Sequence, residues 1–112
     1  MPLFLTRFGY TPEAWAALIS EPQDRAEAIR PMLESAGCKL QGFWYAFGEQ
    51  DGYALIEAPD TTTIATIAVK VTAGGALRSF ETTPLITVGE MVEALKRAAE
   101  IEYHAPTEAV HA

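Results

Sequence analysis

The sequence predicts an α+β domain in the order β-α-β-β-α-β-α, with one four-stranded antiparallel sheet carrying helices on one face. Three observations carry that prediction. Four runs rich in aromatic and branched residues alternate in the strand period, the stretches between them repeat apolar residues at helical spacing, and the middle two strand-like runs are separated by only a short polar turn. This order is the split βαβ arrangement of ferredoxin-like folds. With 112 residues, 49% hydrophobic and 21% charged, the chain has the length and composition of one globular domain. The domain is expected over residues 1–102, and residues 103–112, which lack periodicity, read as a mobile tail.

The elements follow in order. Leu3 to Tyr10 reads as a strand that stops at Thr11-Pro12, a pair suited to a helix N-cap with proline at the first helical position. Ala14, Trp15, Leu18 and Ile19 give that helix its spacing until Ser20-Glu21-Pro22 interrupts it. From Asp24 a second stripe runs through Ala28, Ile29, Met32, Leu33 and Ala36 to Gly37, which stands where a C-terminal cap belongs. Pro31 lies inside this stripe and predicts a kink, or a fresh helix start near residues 28–30. Lys39–Gly48 and Gly52–Ala58 form an antiparallel hairpin around Glu49-Gln50-Asp51. Asp60 or Thr61 caps a helix reaching Thr72, and Ala73-Gly74-Gly75 ends it. Leu77–Thr87 is the last strand, with Pro84 confined to an edge or bulge. Glu90 to Ile101 is a final helix with a narrow stripe of Met91, Val92, Leu95 and Ala98.

Alternation assigns the hairpin's faces. Phe43, Tyr45 and Phe47 share one side with Ala54 and Ile56; Trp44 and Ala46 share the other with Tyr53, Leu55 and Glu57. Both sides carry large apolar groups. A sheet with helices on one face and water on the other shows polar residues on the open face. The sequence therefore predicts that a second copy or a ligand covers it.

A formal charge of −7 with scattered basic residues excludes the positive stripe that nucleic acid or an anionic membrane requires. Cys38 is the only cysteine, so there is no internal disulfide, and it reads as a packed residue rather than a nucleophile. The N-terminal run has no basic segment before it, and no stretch approaches the roughly 18 apolar residues of a membrane span, so a cytoplasmic protein is expected.

Several segments together resemble the GYD-domain family of small bacterial proteins. They are Tyr10-Thr11-Pro12, Arg25 through Pro31, Gly37-Cys38-Lys39-Leu40, Phe43 through Asp51, Glu57-Ala58-Pro59-Asp60 and Gly75-Ala76-Leu77-Arg78. The likeness covers roughly residues 2 to 100. It implies a ferredoxin-like fold of the dimeric α/β-barrel type and homo-oligomeric assembly, and no particular chemistry. Family members carry Gly-x-Tyr-Asp at the hairpin turn, whereas Gln50 stands in the tyrosine's place here.

No glycine-rich phosphate loop is present, since Gly74-Gly75 follows a helix instead of opening one. His104 and His111 sit in the tail without further ligands, and Ser20, Ser35 and Ser79 have no histidine outside it, so neither a metal site, nor a cofactor, nor a serine nucleophile is expected. Glu57, placed on the face of Trp44, Tyr53 and Leu55, is the candidate acid or base: desolvation among aromatic groups raises a carboxyl pKa. The competing reading makes it an ion-pair partner of Arg7 or Arg78, and reads Glu49 and Asp51 as solvated loop carboxylates. Arg7, Tyr10, Trp44, Tyr53, Glu57 and Arg78 are the expected ligand-binding set around a cavity on the covered face, for a small apolar or aromatic ligand. The functional expectation is a homo-oligomeric small-molecule-binding or regulatory module. The alternatives are a cofactor-free isomerase, cyclase or monooxygenase using Glu57 or a tyrosine, and a purely structural assembly protein.

Overall fold

A computed structural model describes residues 1–109. The elements are β1 (Leu3–Tyr10), α1 (Pro12–Ser20), α2 (Arg25–Ser35), β2 (Lys39–Tyr45), β3 (Gly52–Glu57), α3 (Thr61–Ala73), β4 (Leu77–Leu85), α4 (Val88–Ala98) and a short α5 (Pro106–Ala109). The strands form one sheet in the order β2-β3-β1-β4, and every pairing is antiparallel. This is the ferredoxin-like order the sequence predicts. Pro84 lies on β4, an edge strand, where its missing N–H breaks no interior ladder.

The starts of α1 to α4 are each set by a side chain. Thr11, Asp24, Asp60 and Thr87 accept from the backbone N–H groups of Ala14, Glu27, Thr63 and Glu90, so each satisfies a donor that the first turn leaves free. Thr87 and Glu90 close a reciprocal capping box. The stop of α2 is equally local. Gly37, at φ 80°, donates to Glu34, and Cys38 donates to the Leu33 carbonyl at 2.9 Å. This is a Schellman closure, and it carries Cys38 into the core beside Leu33. Burial raises the Cys38 thiol pKa, as fits a packed residue.

The core lies between the sheet and the pair α2/α3. Phe4, Leu40, Ala54 and Ile56 rise from the strands to meet Leu33, Ile64 and Ile67. Fully burying an aliphatic or aromatic side chain of this kind contributes roughly 1.5–3 kcal/mol. Among the described residues, no helix is long and apolar enough to cross a membrane.

Three expectations need correction. Pro31 does not break α2, which runs unbroken from Arg25 to Ser35. The proline is solvent-exposed, so water can satisfy the carbonyl that lost its partner. Strand β2 ends at Tyr45 rather than Gly48, because Ala46 N–H turns to the Asp51 carbonyl at 2.7 Å and closes a longer loop. Helix α4 begins at Val88, two residues before the expected start, because Thr87 is its cap. Pro106–Ala109 adds a helical turn within the expected tail.

Candidate functional site

On the helix side of the sheet the registers place side chains in cross-strand rows. Tyr45, Gly52, Phe8 and Phe80 form one row; Leu40, Ile56, Phe4 and Pro84 form another. Between them lies the row Phe43, Ala54, Thr6 and Thr82. Its small members Ala54 and Thr6 stand between bulky neighbours, and the space they leave under α2 and α3 is a cavity of about 80 Å³. Ile29 and Met32 of α2 and Ile67 and Val71 of α3 complete its apolar wall. A space of this kind needs only about 10–15 Å³ to admit one water, so this one has room for a small organic molecule.

The polar groups of the wall are few. Thr6 is 2% exposed, and its hydroxyl has no hydrogen-bond partner. The hydroxyl of Thr82, directly across the strand pair from Thr6 though not part of the wall, is likewise buried and unpaired. Leaving such a group unsatisfied costs about 1–3 kcal/mol, so the pair is a stability cost within an otherwise apolar core. Tyr10 and Arg25 also line the cavity. The Tyr10 phenol lies 3.4 Å from that of Tyr45. Burial first, and then Tyr45, raise its pKa above the ordinary 10.0, with Arg25 opposing. Tyr10 therefore stays protonated at neutral pH, with a hydroxyl able to donate a hydrogen bond. The edge of Trp15 meets its ring at a centroid distance of 5.0 Å. No carboxylate or imidazole lines the cavity among the described residues.

Gly52 makes this packing possible. A Cβ there would lie 2.2 Å from the Phe8 ring, which covers the glycine and stays available to Phe43 and Tyr10.

The open face has rows of its own. Trp44, Tyr53, Arg7 and Glu81 form one; Gly42, Leu55, Leu5 and Thr83 the next; Lys39, Glu57, Leu3 and Leu85 the third. The structure thus brings together Trp44, Tyr53 and Arg7 of the expected binding set. Arg7 donates to Thr83 and approaches Glu81 at 3.9 Å. Glu57 shares the face but stands four residues along β3 from Tyr53, about 13 Å away at the usual strand rise, between Leu3 and Lys39. It is neither among the aromatic groups nor paired with Arg7 or Arg78, which corrects both readings of it. Tyr10 points to the opposite, helix-facing side and is the one member of the expected set that lines the cavity. The cavity within the chain therefore lies on the opposite side of the sheet from the face on which the sequence placed a ligand.

Arg78 belongs to a third cluster, at the hairpin loop. Its guanidinium occupies the space a Cβ on Gly9 would need, and pairs with Asp51 at 3.4 Å. Asp51 also accepts from the Tyr10 N–H at 2.8 Å, and its own N–H donates to Phe8. Gln50 is buried and accepts from Ser79 at 2.9 Å. Asp51 is thus an anchor, not the solvated carboxylate expected, and Gln50 pins the loop at the position where the family tyrosine stands. Glu49 is exposed, as expected. His104 is exposed, and His111 lies outside the described residues.

Fold and site define a class: a ferredoxin-like α+β domain with a small, mostly apolar cavity between its sheet and helices. The chain belongs to the GYD-domain family, whose model matches residues 4–95. No curated protein matches it. A solved structure described as the crystal structure of FFRP-DM1 is similar over 77% of this chain and 100% of that chain, at 13% identity and a TM-score of 0.49. A likeness that slight carries no weight for fold or function.

Proposed function

We propose that this domain is a homo-oligomeric small-molecule-binding module, and that its ligand occupies the cavity between the sheet and α2/α3. The observation that carries the reading is the mostly apolar cavity between the sheet and α2/α3, with Thr6, Tyr10 and Arg25 as the polar residues of its wall. A site that binds an apolar body and fixes it by one or two hydrogen bonds has this composition. The ligand class follows from the wall: a small aromatic or aliphatic body carrying a carbonyl, hydroxyl or carboxylate oxygen that Thr6, Tyr10 or Arg25 can meet. Binding is favoured over catalysis because proton abstraction needs a base, and Tyr10 is held protonated while Glu57 lies on the other face. The oligomeric part rests on the open sheet face, where Leu3, Leu5, Tyr53, Leu55 and Trp44 remain at least partly exposed.

The test uses thermal shift and Trp15 fluorescence against a panel of small aromatic and aliphatic ketones, alcohols and carboxylates. Members of the panel are expected to raise Tm and change the emission of Trp15, which touches Tyr10. Ala54→Val, which puts two methyl groups into the cavity, is expected to abolish the response while the protein stays folded. A response unchanged in Ala54→Val would place the ligand elsewhere.

A further inference from the structure

Arg25 is the arginine whose position nothing within the chain explains. The other four arginines each meet a carboxylate: Arg7 meets Glu81, Arg30 meets Glu27, Arg78 meets Asp51 and Arg97 meets Glu93. Among the described residues no carboxylate pairs with Arg25; its neighbour Asp24 caps α2, and Glu27 is taken by Arg30. Arg25 also opens α2, at the first helical position, where the helix dipole favours an anion and disfavours a cation. That local cost is offset by no ion pair among the described residues.

The guanidinium is nevertheless held in place. Its Nη1 donates to Gln23 Oε1 at 2.8 Å, which leaves the edge formed by Nε and Nη2, the parallel donors that a carboxylate meets with both oxygens. Arg25 shares the cavity wall with Tyr10. Its charge lowers the Tyr10 pKa against the burial that raises it, so guanidinium and phenol face one another's surroundings. The Tyr45 hydroxyl stands 3.4 Å from that phenol, a long hydrogen bond that leaves Tyr10 free to take a better acceptor. Tyr10 pairs with Leu77 at one end of the cavity, where Arg25 and Leu77 are partly exposed. Thr6 lies four residues back along β1, about 13 Å away, beside the buried Ala54 and Ile56. The space is thus charged at its outer end and apolar beyond, with Thr6 as the single polar residue of the inner part.

We infer that the cavity's ligand is an amphiphilic anion, a carboxylate on a slender apolar body, and that Arg25 is the residue that selects it. Arg25 and Tyr10 take the carboxylate at the outer end, and the body reaches inward toward Ala54. This inference rests on the cavity reading above and narrows its ligand from any oxygen-bearing molecule to an anion. A neutral alcohol or ketone would offer the free edge of Arg25 one acceptor and no charge, whereas a carboxylate satisfies both donors with charge-assisted bonds. Among the described residues no carboxylate lines the cavity, so the anion meets no like charge inside. The chain's net charge of −7 exerts no general pull on anions, which makes the selectivity local to Arg25.

Calorimetry on the full-length protein decides the point, with phenylacetate and hexanoate each compared with its neutral amide, phenylacetamide and hexanamide. Each carboxylate is expected to bind about 10- to 100-fold more tightly than its amide. Arg25→Met keeps an apolar stem over the cavity and removes the guanidinium. It is expected to abolish the preference with amide affinity unchanged, and to leave Tm equal or higher, because a cation has left the first turn of α2. Arg25→Lys, which keeps the charge without the fork, is expected to restore part of the preference. Ala54→Val is expected to remove binding of both members of each pair. Amides that bind as tightly as the carboxylates, with both lost in Ala54→Val, would overturn the anion and leave the cavity reading standing. A carboxylate preference undiminished in Arg25→Met would overturn the role of Arg25. Binding that Ala54→Val leaves intact, or no binding of either member of either pair, would overturn the cavity reading and this inference with it.

Discussion

Replacing Thr6 by valine exchanges a hydroxyl for a methyl of nearly the same shape, and the sign of its effect on stability separates a binding site from an ordinary core. A buried threonine normally has a hydrogen-bond partner, and losing that bond costs about 0.5–1.5 kcal/mol. Here the hydroxyl is unpaired in the folded protein and hydrated in the unfolded chain, so the native state bears its desolvation cost without return. Thr6→Val is therefore expected to stabilise the ligand-free protein by about 1–2 kcal/mol, a rise in Tm of roughly 4–8 °C for a domain of this size. Urea unfolding of apo protein gives the value directly, with an unchanged m-value showing that only stability moved. The same substitution is expected to weaken binding of an oxygen-bearing ligand about tenfold, the worth of one hydrogen bond. A variant less stable than wild type would mean that Thr6 has a partner, and the case for a ligand-directed hydroxyl would fail.

Three further outcomes follow from the geometry. Gly52→Ala puts a methyl against the Phe8 ring, on rigid strand backbone, and is expected to cost about 1–3 kcal/mol in chemical denaturation; Gly48→Ala, with nothing within 4 Å, is expected to be near neutral, and equal costs would refute the packing argument. Asp51→Ala removes the acceptor shared by the Tyr10 N–H and Arg78, and is expected to cost about 1–3 kcal/mol and to speed hydrogen exchange across the 46–51 loop. The Thr63 hydroxyl and N–H hold the Asp60 carboxyl below its ordinary 3.8, so its contribution is complete above that value and is lost as pH falls through the lower, folded-state pKa. Asp60→Asn keeps a cap without a charge and is expected to flatten the acid limb of the Tm–pH curve, whereas an unchanged acid limb would remove Asp60 from acid unfolding.

What was legible in the sequence was what short-range chemistry decides. Alternation through Phe4, Thr6 and Phe8 shows β1, and Thr11-Pro12, Asp24 and Asp60 announce helix starts because a cap bonds only three residues ahead. The same parity would have put Tyr10 on the helix side, and a threonine between two inward phenylalanines was the available sign of a polar group in the core. Thr87-x-x-Glu90 was equally readable as a capping box. The anchoring of Gln50 and Asp51 was not, because Ser79 and Arg78 lie far along the chain and no local pattern announces such partners. The cavity's side of the sheet was hidden for a related reason: it follows from Ala54 and Thr6 falling into one row, and register is a property of paired strands. The stripe of α4 was visible from its spacing, while its exposure along the whole helix was not.

The measurement that bears most directly on the proposed function is native mass spectrometry of protein purified gently from its own host, because it reports subunit number and retained small molecules together. The account predicts a homo-oligomer carrying a defined extra mass, one small molecule per chain at most, which Ala54→Val loses. An oligomer that is empty, and that takes up no member of the aromatic and aliphatic panel when supplied, would contradict it.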